Sequence, residues 1–302
     1  MENKKKHPKF KIFFLLFIFI ILFIIGYQIL GAAKFETITA SQGEIIDGFW
    51  TNAVVVRDEK VFKAPISGKA ELFEGEGDRI AVGEKVAEIN SSNEDKIIYN
   101  NKAGILSFAV DGLESEINSR TINQIDLNKI NDYKANYKHR ITGRSIKKDE
   151  ALYRIINNFE FYLIVPAPKA QADRFKLNEI VFVQEKNLKD MLRARIIDIR
   201  NDNQDNYYLF LKIDFFVPRW INVRRVNVNL IKNIYRGITI PRKAIFNQPS
   251  GQGVLKVSGY NEYEFQEITI IDSNEEAAVV EGVEIGDKII TNPEDFYYGR
   301  EG

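Results

Sequence analysis

The sequence predicts a mostly β protein. A single N-terminal transmembrane helix is followed by a glycine-punctuated β-module, a small β-barrel domain and a C-terminal β-domain. Three observations carry this expectation: an uncharged apolar stretch over 12–30, short apolar strands set between glycine turns over 61–112, and β-branched and aromatic runs recurring from 145 onward. As segments, the chain divides into a basic tail (1–11), the helix (12–30) and a linker with N-terminal strands (31–60). The split module (61–112), a connecting segment (113–144), the barrel-like domain (145–235) and the C-terminal domain (236–302) follow.

Ile12 to Leu30 is 19 residues without a formal charge, and Ile12 to Ile25 are all large and apolar. A helix rising about 1.5 Å per residue would cover roughly 28 Å there, close to the ~30 Å hydrocarbon core of a bilayer. Lys4, Lys5, Lys6, Lys9 and Lys11 precede the stretch and only Lys34 follows closely. The positive-inside bias then keeps the N-terminus cytoplasmic. The expectation is a single-pass protein of the cell membrane, touching lipid through its anchor, with everything after Leu30 outside the cytoplasm. The competing reading is a cleaved signal peptide with Gly31, Ala32 and Ala33 as the small-residue site, but the apolar stretch exceeds the ~7–15 residues of a signal core.

The 42 basic and 42 acidic residues balance, yet five lysines and Glu2 lie within 1–31, leaving 37 basic against 41 acidic side chains beyond, a net of −4. A mildly acidic ectodomain lacks the clustered Lys and Arg that nucleic acid requires, so no nucleic-acid partner is expected. The chain has no cysteine, which excludes disulfides and thiolate metal sites. His7 and His139 are the only histidines, too few for a zinc site, and a lone imidazole among cations at Lys138-His139-Arg140 reads as a solvated surface residue. Asp202 to Asn206 lacks the spacing and terminal glutamate of an EF-hand loop and reads as a polar turn. Glu74, Glu76 and Asp78 beside Gly75 and Gly77 would repel a phosphate. No catalytic, cofactor-binding or metal-binding residue is expected.

Within 61–112, Pro65 ends one strand, Ser67-Gly68 turns, Gly75 and Gly77 turn again, and Gly83-Glu84 precedes the strand Val86 to Ile89. Gly68 and Gly83 are expected at φ > 0, which only glycine takes without steric cost. A second half follows at Ala103-Gly104-Ile105-Leu106, then Asp111-Gly112. These paired halves look like a split biotinyl/lipoyl-type module. The lysine that would carry a swinging arm is Lys96, but Gly104 follows it by only eight positions and no Met-Lys-Met is present, so Asp95-Lys96 reads as a polar turn.

From 145 on, Tyr153–Ile156 and Phe159–Val165 read as a hairpin turning at Asn157-Asn158, since asparagine tolerates left-handed backbone. Ile180–Val183, Arg193–Ile199, Tyr207–Ile213 and Val226–Leu230 are further strands of a small barrel or sandwich. Two short helices are expected: one capped by Asp126 with Leu127, Ile130 and Tyr133 on one side, and one opened by Pro168 and ended by Asn178. Trp220 or Tyr297-Tyr298 could as exposed aromatics bind a partner or glycans, while most of the aromatics read more simply as β-core.

The C-terminal segment runs Ile240-Pro241-Arg-Lys-Ala244-Ile245, then Gly253-Val254, then Gly282-Val-Glu-Ile-Gly286-Asp287-Lys-Ile-Ile290-Thr-Asn-Pro293. In this order the chain resembles the membrane fusion proteins, or periplasmic adaptor subunits, of hemolysin-secretion-type and related efflux systems, and in particular a Gram-positive-like branch. The resemblance implies a membrane-proximal-like C-terminal domain and a non-enzymatic subunit of an export or efflux system. It further implies an integral-membrane transporter as partner, ABC-type or related, and a homo-oligomer. One departure stands out. The long helical hairpin that usually separates the lipoyl halves is replaced by Asn90 to Lys96, too short for a helix of ~10–14 residues. Loss of that arm keeps open an alternative, an extracytoplasmic envelope scaffold in wall assembly or division.

Overall fold

A computed structural model describes residues 18–20, 36–130, 138–139, 143–202, 204–249, 251–259 and 262–294. The expected 12–30 span lies outside the described residues apart from a helical 18–20, and among the described residues no helix is long and apolar enough to cross a membrane. Tyr133 and the His139 side chain also lie outside them. The protein is mostly β, in two compact units, one of residues 46–233 and one joining residues up to 45 with those from 234 on.

The first unit holds two β-bodies, with the sandwich inserted after the first strand of the barrel. In the sandwich body, one sheet orders Ser145–Ile146, Gly68–Leu72, Lys85–Asn90 and Asp95–Tyr99, and the other orders Glu59–Lys63, Ala151–Ile156, Gly104–Ser107 and Arg79–Ile80. Their inner faces close over Ala70, Ile80, Val86, Ile89, Leu106, Leu152 and Ile155. The short apolar strands form this sandwich because each has one face to bury and a turn to reverse it. Phe62 stacks on Tyr153 with ring centroids 4.6 Å apart, sealing one end.

Gly83 sits at φ +86 in the turn before Lys85–Asn90, the left-handed conformation expected of it. Gly68 differs from expectation. Its φ is not positive, and it is glycine because a Cβ there would stand 2.5 Å from the carbonyl oxygen of Asn90 on the neighbouring strand. Close strand approach, rather than a turn, excludes a side chain.

The barrel body is a closed ring of antiparallel strands, Ile180–Glu185, Met191–Asn201, Tyr207–Ile213, Phe161–Ala167, Ser41–Val56 and Arg225–Pro241, the last pairing back onto the first through Val183 and Leu230. Closure removes the open edges that a sheet otherwise exposes. Inside lie Val55, Leu163, Val165, Val181, Ile196, Leu211 and the fully buried Trp220. Part of the outside is covered as well: Ile117, Ile122, Ile125, Leu127 and Ile130, from the segment between the sandwich strands Gly104–Ser107 and Ser145–Ile146, bury Val54, Val56, Ile164, Tyr208 and Phe210. Arg200 fastens this cover, donating to the carbonyls of Ile122 and Asn123 with its guanidinium 3.6 Å from the Phe210 ring centre.

Two expectations change here. Tyr153–Ile156 and Phe159–Val165 do not form a hairpin: Ala151–Ile156 pairs with Glu59–Lys63 and Gly104–Ser107 in the sandwich, whereas Phe161–Ala167 pairs inside the barrel. Neither Asn157 nor Asn158 takes φ > 0, which a two-residue hairpin turn needs, and Asn157 instead donates its N–H to Asp58 O and accepts from the Phe159 N–H. The barrel therefore starts after Ala151–Ile156, and it takes in the earlier strand Ser41–Val56. Of the expected helices, a 3-10 turn at Leu127–Lys129 is capped by Asp126, and a single helical turn at Lys169–Ala172 follows Pro168, with Asn178 at φ 65 beyond it.

The second unit packs Ala40, Ile240, Ala244, Val254, Ala278, Val280, Val283 and Ile289. One sheet joins Thr37–Thr39, Lys288–Ile290, Gly251–Gly259 and Ile245–Gln248, with Glu262–Glu267 beside Gly251–Gly259. Thr269–Ser273 and Ala277–Glu281 pair with each other, and the latter pairs with Ile238–Pro241. Pro241 precedes a 3-10 turn at Arg242–Ala244, while Gly282 and Gly286 both take positive φ. Asp287 accepts the Glu284 N–H at 2.8 Å and pairs with Lys256 at 3.0 Å; the backbone hydrogen bond, then Lys256, hold its carboxyl below the usual range. Pro293 is buried after the last strand.

Candidate functional site

The most unusual chemistry among the described residues is a set of six buried ionised side chains where the sandwich meets the barrel: Arg57, Glu59, Asp111, Glu114, Arg154 and Arg224, none more than 7% exposed. Arg57 and Arg154 are delivered by strands whose apolar neighbours carry the charge inward. Arg57 follows Val54, Val55 and Val56 at the end of a barrel strand. Arg154 lies between buried Tyr153 and Ile155. Glu59 opens the first sandwich strand, and Arg224 immediately precedes Arg225–Pro241.

Glu59 is the hub. Its Oε2 accepts from Arg154 Nη1 at 2.9 Å and stands 3.5 Å from Arg57 Nε, and its Oε1 accepts from Arg224 Nη2. Arg224 also grips Asp111 through both oxygens, Nε to Oδ2 at 2.5 Å and Nη2 to Oδ1 at 3.1 Å. That bidentate fork suits the planar guanidinium. Glu114 Oε1 lies 3.5 Å from Arg154 Nη1 and closes a local turn by accepting the Asp111 and Gly112 N–H groups at 2.7 and 3.0 Å.

The arginines also read the barrel backbone. Arg57 Nη1 donates to Trp220 O and, at 2.8 Å, to Val223 O. Arg154 Nη2 donates to Ile221 O at 2.9 Å and to Asn222 Oδ1 at 3.0 Å. Asn222 reaches back into the sandwich, accepting from Ser107 Oγ at 2.9 Å and donating to Glu76 Oε1 at 2.8 Å. Trp220 adds its own tie, Nε1 to Glu185 Oε2 at 2.9 Å.

Three cations and three carboxylates sum to zero, which is how this much charge survives out of water. Burial acts to raise the Asp111 carboxyl, but the hydrogen bond and charge of Arg224 outweigh it and hold it below the ordinary value. Glu114 goes the other way: burial, with Asp111 and Glu59 adding to it, raises its carboxyl despite two backbone N–H donors. Burial acts to lower Arg224, and Glu59 with Asp111 overcomes it, so this guanidinium stays charged. Chemically the cluster is a joint. Its members are held by one another and by backbone, while Arg224 Nη1 is buried without a hydrogen-bond partner.

Of the motif residues read from the sequence, Asp111 and Gly112 border this joint, and Gly104 opens the strand whose Ser107 bonds Asn222 beside it. Gly77 donates its N–H to Leu106 O at 2.9 Å, and the Gly75 N–H donates to Asp78 Oδ2 at 2.6 Å, tightening the loop that carries Glu76. Pro65, Gly68 and Gly83 lie elsewhere in the sandwich, and Pro241, Gly282, Gly286, Asp287 and Pro293 belong to the other unit. Lys96 sits within Asp95–Tyr99 opposite Ile89, with residues 91–94 forming the tip. Sequence reasoning missed Arg57, Glu59, Glu114, Arg154 and Arg224. The signal was there at Arg154, a single cation embedded in Leu152-Tyr153-Arg154-Ile155-Ile156, and more faintly at Arg57, which ends the run Ala53-Val54-Val55-Val56. Among the described residues no group of His, Asp or Glu is arranged to hold a metal.

Comparison with known proteins follows these same bodies. The RND-related barrel-sandwich hybrid domain matches residues 59–157, and the RND-related β-barrel domain matches residues 161–234. No curated protein matches the chain. Among solved structures, MacA from Actinobacillus actinomycetemcomitans is similar at 13% identity, covering 85% of this chain and 99% of its own, with a TM-score of 0.40. ZneB from Cupriavidus metallidurans is similar at 10% identity, covering 85% and 92%, with a TM-score of 0.40. The membrane fusion protein Spr0693 from Streptococcus pneumoniae R6 is similar at 11% identity, covering 61% and 100%, with a TM-score of 0.34. With two consecutive domain matches that together take in more than half of its residues, the chain belongs to the membrane fusion, or adaptor, family.

Proposed function

We propose that this chain is the membrane-anchored adaptor subunit of an export or efflux system, a non-enzymatic partner of an integral-membrane transporter of the ABC type or a related one. The observation that carries the reading is the ordered pair of barrel-sandwich hybrid and β-barrel domains, locked by the buried joint around Glu59. A coupling subunit transmits position through a stiff body, and a buried network of mutually paired charges between two packed domains supplies stiffness. The lysine-flanked apolar stretch at 12–30 supplies the anchor, with the β-domains outside the cytoplasm. Adaptor modules packed side by side form a heterologous contact that closes into a ring when the rotation permits.

A second reading, an envelope scaffold in wall assembly or division, is favoured by one specific observation. Where the family's helical arm would emerge, Lys85–Asn90 and Asp95–Tyr99 form a plain hairpin closed by the Ser91 N–H donating to Glu94 O at 3.2 Å. Crosslinking of the full chain in native membranes, with identification of its partners, separates the two. The adaptor reading expects a multi-spanning transporter among them; recovery of wall-synthesis or division proteins alone would move the assignment to the scaffold.

A further inference from the structure

The barrel's outer face is covered by the 113–130 segment only in part, and the strands Ile180–Glu185, Met191–Asn201 and Tyr207–Ile213 carry an uncovered concavity of about 470 Å³. That is within the ~300–1,000 Å³ range of small-molecule sites. Arg193 and Arg195 both line it and both are exposed, while Ala194 between them points into the barrel core. Alternation puts the two guanidiniums on one face, their Cα atoms roughly 7 Å apart along the strand. Among the described residues neither guanidinium has an ion-pair or hydrogen-bond partner.

A third cation, Lys212, stands opposite Arg195 in the ladder, but it is already neutralised by Glu160 at 2.7 Å and Asp214 at 3.0 Å. The uncompensated positive charge is therefore local to the arginine pair. Ile180, opposite Arg195 on the other side, joins Met191 and Phe215 to give the same concavity an apolar wall, and Phe215 is 61% exposed. A large exposed aromatic beside two arginines without partners is a poor arrangement for plain solvent contact and a good one for a ligand with an acid at one end and a hydrocarbon body at the other. An anionic bilayer surface fits less well, because Glu160 and Asp214 border the cationic pair.

We propose that this concavity binds a small soluble anionic amphiphile, its acid group held by Arg193 and Arg195 and its apolar body lying on Ile180, Met191 and Phe215. The test uses the full chain in nanodiscs of zwitterionic lipid, titrated calorimetrically with 4-phenylbutyrate, 4-phenylbutanol and acetate, with empty discs as reference. Saturable one-to-one binding of phenylbutyrate is expected, weakening as salt rises and exceeding that of the alcohol and of acetate. Replacing both arginines (Arg193→Gln with Arg195→Gln) should lower the affinity roughly tenfold or more, the loss of charge-assisted hydrogen bonds. Phe215→Ser should lower it too, with the unfolding temperature of each variant unchanged. Equal binding of the alcohol, unchanged affinity in the double variant, or no saturable binding of phenylbutyrate overturns the proposal. A tenfold loss of phenylbutyrate affinity in discs containing anionic lipid would assign the pocket to a lipid headgroup and overturn it as well.

Discussion

Glu59 balances three guanidinium groups, so deleting it strands positive charge in the interior, where water cannot replace the lost partner. Glu59→Ala should cost about 3–5 kcal/mol in urea unfolding, the usual penalty for breaking a buried ion pair from one side. By contrast Lys85→Ala, which removes a partly exposed pair with Glu88, should cost under about 1 kcal/mol. Asp111 gives the joint a pH signature. Its folded carboxyl lies below its unfolded value, so the stability it contributes is full above the unfolded carboxylate range and is lost as pH falls through the folded value. Asp111→Asn should therefore be less stable than the parent at pH 7, and the gap in unfolding temperature should shrink as both are titrated below about pH 4. A gap of constant size down to pH 2 would show that Asp111 acts through packing and not through its charge. These residues were only partly legible in the sequence. Asp111 stood out as part of a glycine turn, but Arg154 has buried neighbours on both sides, and period-two reading cannot separate an inward charge from an outward one when the whole strand is buried.

At the level of single elements, glycine punctuation was read correctly as a marker of the sandwich, yet two of its glycines do different physical work. Gly83 has open space around its missing Cβ and needs glycine only for its φ of +86, whereas Gly68 has ordinary φ and a backbone oxygen where a Cβ would go. Gly83→Ala should cost about 1–3 kcal/mol of backbone strain. Gly68→Ala should cost more and separate Gly68–Leu72 from Lys85–Asn90, visible as loss of amide protection in both strands by hydrogen exchange. Equal effects of the two would contradict the distinction. The hairpin tip at 91–94 should be the most tolerant point in the sandwich, since Ser92, Asn93 and Glu94 are exposed and one backbone hydrogen bond spans it. An inserted helical hairpin there should leave the unfolding midpoint within about 1 kcal/mol of the parent, as loop-closure cost grows slowly with length. The Asn157-Asn158 turn was misread because asparagine permits left-handed backbone without requiring it. The chain used those residues to leave the sandwich for the barrel.

For the whole molecule, the β class and the modular order were legible because they rest on local punctuation, while strand partnership was not, because it depends on segments far apart in sequence. Ser41–Val56 read as part of a linker with N-terminal strands and is a barrel strand; Ala151–Ile156 read as barrel and is sandwich. The proposed orientation makes its own prediction at this scale. Protease added to intact, wall-stripped cells should digest the chain beyond residue 31, and complete protection until the membrane is opened would reverse the proposed topology. The barrel ring also sets a timetable. Ser41–Val56 is flanked by Phe161–Ala167 and Arg225–Pro241, so the first barrel strand to emerge waits for the last before its backbone is satisfied on both edges. Such long sequence separations slow folding, because ring closure must be reached before its contacts reward it. During synthesis Ser41–Val56 therefore keeps one edge unpaired until Arg225–Pro241 has been made, the interval in which this chain is most open to aggregation and to the chaperones that prevent it.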